Sequence, residues 1–145
     1  MSKPESHVST RRHSPSRTHA EAVVTVDRSE MERFDATPPA LLEMHLSEKF
    51  AGDLDGESTV RALQMQRDDQ SACMVSMQRF TGRLHGRTGT FVLQGAETIE
   101  HGKIKATWFV VPGSGTGDLT GLRGEGGFEG EFGKGSSSTL DYWFE

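Results

Sequence analysis

The run from Lys105 to Phe128, KATWFVVPGSGTGDLTGLRGEGGF, limits the possible folds more than any other part of the chain. Ala106, Trp108 and Val110 alternate with Thr107, Phe109 and Val111, so both faces of the segment carry apolar groups. Such a pattern suits a strand packed on both sides or one in a small closed barrel. Pro112-Gly113 ends it, because proline removes a ladder donor and glycine turns freely. The glycines that follow let the backbone bend sharply and lie close to its neighbours, as a barrel corner requires. They do not make a phosphate loop. A P-loop needs Gly-Lys-Ser/Thr opening a helix, and here Gly117-Asp118-Leu119 leads towards further strand.

Length and charge narrow the class. At 145 residues the chain is expected to be one domain with a real core. The net charge of −5 argues against a general nucleic-acid binder. Residues 1–20 carry +3, through Lys3, Arg11, Arg12 and Arg17 against Glu5, which leaves −8 on the rest. The first eighteen residues are Ser, Pro, Arg and His with almost no large apolar group, and they are expected to form a disordered basic tail. A single cysteine, Cys73, excludes an internal disulfide and fits a reducing compartment. The absence of a long apolar run or a leader core makes a cytoplasmic protein, with no membrane partner, the expectation.

Period-two alternation recurs along the chain. It predicts strands over residues 20–28, 43–54, 57–67, 71–84, 90–99, 105–111, 119–131 and 139–145. Residues 29–42, with Pro38-Pro39, read as a short helical turn and a connection. Fifteen of the seventeen glycines lie from Gly82 onward, where bends close a sheet and remove its edges. The predicted fold is all-β: an eight-stranded, mainly antiparallel small barrel over residues 19–145, behind the tail of residues 1–18.

Four runs carry a resemblance: Phe50-Ala-Gly-Asp-Leu54, Gly89-Thr-Gly-Thr-Phe-Val-Leu-Gln94, the run from Ala106 to Leu119, and Thr139-Leu-Asp-Tyr-Trp-Phe-Glu145. Over residues 20–145 they resemble a bacterial domain family of unknown function whose fold is like that of plant allene oxide cyclase. Relatives of this barrel type include cofactor-independent cyclases, so the resemblance implies a ligand in the lumen. The chain departs from the family pattern at Thr25 and Arg61, where the family carries acids, and at Gly95, where it carries histidine.

Alternation assigns every side chain of a strand to a face once one is placed. Trp108 and Val110 are placed inward, with Phe91, Leu93, Val75, Met77, Leu140, Tyr142 and Phe144. By the resemblance, Glu43, His45, Ser47 and Lys49 then face inward, with Thr25, Asp27, Arg61, Leu63 and Met65. Cys73, Arg79, Gly95 and Glu97 complete the interior. The result is an apolar cup with polar groups at its ends, a common form of small-molecule site.

His45 is the acid/base candidate, since histidine as a residue type titrates near neutral pH. Arg61 or Arg79 would hold a carboxylate or stabilise an enolate, and Glu97 or Glu43 would orient the histidine or act as a base. The substrate wall is expected from Phe91, Leu93, Trp108, Tyr142 and Phe144, with Met65, Met77 and Ser47 beside it. Scattered histidines without ligand spacing give no metal site, and no cofactor is expected.

Three readings remain open: a cofactor-independent isomerase or cyclase, in specialised metabolism for example; a non-catalytic barrel that carries a small apolar molecule; and a barrel filled by its own side chains. A homodimer fits each of them.

Overall fold

Eight strands follow one another in space as they do in sequence. The computed structural model describes residues 16–68, 70–131 and 134–145. The strands are β1 (Thr18–Asp35), β2 (Ala40–Gly52), β3 (Leu54–Asp68), β4 (Ser71–Leu84), β5 (Arg87–Glu100), β6 (Lys103–Val110), β7 (Leu122–Glu131) and β8 (Ser136–Phe144). Each is antiparallel to the next, and β8 pairs back onto β1, closing an up-and-down barrel. Closure leaves no unpaired edge running the length of the sheet.

The strands fall where alternation predicts them, and one connection differs. Residues 29–42 hold no helical turn. β1 continues to Asp35 and pairs with β2 as far as Leu41. Met31 and Phe34 supply apolar groups suited to a ladder, and the break falls at the Pro38-Pro39 pair, where donors are missing. The expected tail of residues 1–18 falls largely outside the described residues. Its end does not hang free: Arg17 pairs with Glu125 at 2.6 Å and lies 4.5 Å over the Trp143 ring, and Thr18 already belongs to β1.

The long glycine-rich connection between β6 and β7 is a corner, as its composition predicts. Beyond Val110 it continues along β5: Val111 N–H donates to the Val92 carbonyl and Thr116 N–H to the Thr90 carbonyl. A single 3₁₀ turn, Gly117–Leu119, then tucks Leu119 fully into the interior. Gly117 adopts φ +61°, and a Cβ there would lie 2.9 Å from the Thr88 carbonyl oxygen. Only glycine sits in that conformation and that space without strain.

The core occupies one end of the barrel. Phe50, Phe80, Phe91, Trp108, Tyr142 and Leu119 meet there from five strands and the corner. Phe80 lies 5.3 Å from Phe50 and 5.0 Å from Phe91, ring centre to ring centre, and Phe128 packs 5.3 Å from Trp108. The Trp108 indole N–H donates to the Thr139 carbonyl at 3.0 Å, so the ring is buried with its donor satisfied.

Candidate functional site

The opposite end of the lumen is not filled. A cavity of about 390 Å³ lies there, walled by Val24, Met44, Leu46, Val60, Ile99 and Phe128. Its mouth lies where the β1–β8 ladder runs out. That ladder ends at Val24 and Ser136, while β1 runs on with only β2 beside it. A register shift between Val26 and Arg28 reverses the phase of β1, so that Ser29 and Met31 join Thr25, Lys134 and Gly135 around the opening.

Two carboxyl groups line this apolar space, Glu48 from β2 and Glu97 from β5. Glu97 is only 5% exposed. Its Oε2 accepts a hydrogen bond from the Ser76 hydroxyl at 2.6 Å, while its Oε1 is buried without a partner. Gly95 makes room for this pair: a Cβ there would lie 2.6 Å from Glu97 Oε2 and 3.0 Å from Ser76 Oγ. Beside them the Ser58 hydroxyl donates to the Gln78 carbonyl oxygen at 2.5 Å. That leaves the Gln78 amide NH₂ as a donor on the cavity wall.

Burial governs the charge of both acids. It pushes Glu48 up to about 7, and the charge of Glu97 across the lumen adds to the shift. Burial also raises Glu97, and the Ser76 hydroxyl partly opposes this by stabilising the carboxylate. Near neutral pH Glu48 is therefore only partly charged and can exchange protons with a bound molecule, and Glu97 is shifted in the same direction.

The predicted site residues divide between the two walls. Glu97, Phe91, Leu93, Trp108 and Tyr142 face the interior as expected, and Phe144 packs against the same core. Apart from Glu97 they do not line the cavity. They fill the other end, so the expected aromatic wall is packed core. The remaining candidates face outward and correct the expected phase of β1 to β4. Arg61 and Arg79 are exposed, Met77 is 51% exposed, and His45, Ser47, Met65 and Cys73 are half-buried on the outer wall. Thr25 borders the mouth, and Asp27 is exposed beside the shift in register.

Register explains the correction. Residues paired directly across an antiparallel ladder share a face. Phe91, inward on β5, pairs with Phe80, so Gln78, Ser76 and Met74 are the inward residues of β4, and Val75, Met77 and Arg79 point out. Carried across β3, the same logic turns Val60 and Ala62 inward and Arg61, Leu63 and Met65 outward. On β2 it selects Met44, Leu46, Glu48 and Phe50.

Outside, His45 Nε2 lies 2.8 Å from Glu43 Oε2, and Arg61 lies 3.8 Å from the same oxygen. The three candidates do meet, but as a surface ion cluster. Glu48, Ser76 and Gln78 stand on the cavity wall outside the expected set. A signal existed for Glu48, an acid interrupting the series Leu42, Met44, Leu46, Phe50. None existed for Ser76 and Gln78, which are more polar than their outward neighbours. Among the described residues no group of three or more His, Cys, Asp or Glu side chains is placed to hold a metal ion. No helix there is long and apolar enough to cross a membrane.

Residues 20–144 match a family described as proteins of unknown function, DUF3224. A crystal structure of a DUF3224 protein of unknown function from Shewanella oneidensis MR-1 superposes with a TM-score of 0.70 at 28% identity, covering 90% of this chain and 99% of that one. No curated protein matches the chain.

Proposed function

The chain belongs to the DUF3224 family, and from that premise we propose that its barrel binds a small, largely apolar molecule in the open end of the lumen and isomerises or cyclises it by proton transfer, without a cofactor. The observation that carries this reading is the pair Glu48 and Glu97, two acids of raised pKa in an apolar cavity, one with an unpartnered oxygen. Leaving such an oxygen buried costs about 1–3 kcal/mol, a cost that a ligand donating a hydrogen bond would offset. One carboxyl group in its neutral form would donate a proton while the other, ionised, accepts one. The apolar walls would supply affinity at about 25 cal/mol per Å² buried and hold the chain of the substrate folded.

The likeness to allene oxide cyclase, a natural-product type of chemistry and a cytoplasmic location belong to this reading. So does a homodimer. Leu63 and Val75, paired across β3 and β4 on the outer wall, are 53% and 57% exposed and would form its centre. Sedimentation of the full chain as a monomer at all concentrations would remove that part alone.

The test begins with a neutral naphthalene dye that brightens in apolar surroundings. It is expected to bind the full chain and lose its site in Ala62→Trp, which fills the cavity from β3. A dye that never enters the lumen overturns the reading. For any molecule the lumen is found to convert, Glu97→Gln should lower kcat more than it raises KM. Capture without conversion would leave the carrier reading.

A further inference from the structure

The charge of the lumen restricts what can enter it. Arg61 and Arg79 were the cations expected inside, and both stand on the outer wall. Among the described residues the only cation lining the cavity is Lys134, at the mouth, and it pairs with Glu131 at 3.4 Å. The charged groups facing the cavity are thus Glu48 from β2, Glu97 from β5, and this neutralised pair at the rim. The neutral polar groups deeper in are Ser76 and Gln78, and Ser76 is already committed to Glu97. An anionic ligand would meet two acids and no buried cation, a like-charge arrangement that excludes partners strongly. A neutral ligand would leave both acids without a counter-charge. A cation would satisfy both, and Glu97 Oε1, buried without a partner, is an acceptor that a turn of the carboxyl group would offer to an N–H donor.

Resting on the function proposed above, we infer that the molecule bound in the lumen carries a basic nitrogen. It enters as an ammonium or protonated ring nitrogen on an apolar body, and its N–H is held between Glu48 and Glu97. Binding favours ionisation of the pair against the bound cation, one acid before the other, so protons leave the protein as the ligand arrives while the second acid can keep its own for transfer. Affinity for an amine therefore rises with pH through the range in which the acids lose their protons. Affinity for an uncharged molecule of the same shape does not rise.

A matched set of cage hydrocarbons separates these outcomes: adamantylamine, adamantanol and adamantanecarboxylate, titrated calorimetrically into the full chain. The amine is expected to bind about tenfold or more tighter than the alcohol, and the carboxylate weakest. The advantage of the amine should grow from about pH 5 to about pH 8 and vanish in the double variant Glu48→Gln, Glu97→Gln. If the double variant does not fold, the ranking on the unmodified chain and its pH dependence decide. Alcohol binding as tightly as the amine, with both in the lumen, overturns the inference and leaves the proposed function standing. An amine preference that survives in the double variant also overturns it, by placing the cation elsewhere. Binding of none of the three overturns both.

Discussion

The two ends of this barrel are made from the same eight strands and solve opposite problems. At the corner end, Phe50, Phe80, Phe91, Trp108 and Tyr142 fill the lumen, and Leu119 closes it from the connection. At the other end the inward side chains include Glu48, Ser76, Gln78 and Glu97, and about 390 Å³ stays unfilled. The filled end gains dispersion and apolar burial on every side. The open end gives up packing and burdens the fold with two acids that burial holds above their ordinary range.

The largest effect should come from creating a void where none exists. Phe80→Ala removes a ring that touches two others and is fully buried, and should cost about 3–5 kcal/mol in chemical denaturation. Met74→Ala, at the wall of the existing cavity, should cost only about 1 kcal/mol. Equal losses would erase the distinction between the ends.

The next effect is confined to the open end. Folded Glu48 holds its proton to about pH 7, while its unfolded reference is 4.5. A raised carboxyl favours the fold most fully below the unfolded value. As pH rises from 4.5 through about 7 the unfolded chain ionises first, and that stability is lost. The loss is on the order of 3 kcal/mol, so Glu48→Gln should be less sensitive to pH across this window and more stable than the unmodified chain above it. Parallel stability curves for the two proteins would show that the acid is solvated and the open end is no special environment.

The smallest effect sharpens the account of the filled end. Gly117→Val forces a branched side chain into φ +61° against the Thr88 carbonyl and should cost about 1–3 kcal/mol. If thermal unfolding does not change, the corner closes the barrel by composition alone, and Leu119 is held by other contacts.

Strand 4 shows where reading the residues succeeds and where it fails. Its limits, Ser71 to Leu84, follow from alternation, and the structure has the same ones. Its phase does not follow, because Val75 and Met77 are more apolar than the Ser76 and Gln78 they alternate with, yet they lie outside. The rule that apolar residues face inward holds where the lumen is filled, as on β5, β6 and β8, and fails on β4, which sets Ser76 and Gln78 on the wall of the unfilled end. For the same reason Glu97 was found, on a strand anchored by Phe91 and Leu93, and Glu48 was missed, on a strand whose face was assigned by resemblance.

The sequence by itself determined that this chain forms short-period strands, that glycine lets them turn after Val110, and that closure into a barrel is the way to leave no edge exposed. Those properties are local: alternation, turn residues and backbone freedom act over a few positions. Only the tertiary structure decided which face of each strand is inside, because a slip of one residue in register exchanges the two faces of a strand at no local cost. The pairing of Met74 with Glu97 and of Phe80 with Phe91 fixed that choice. It set two acids across an apolar cavity and put the arginines on the outside.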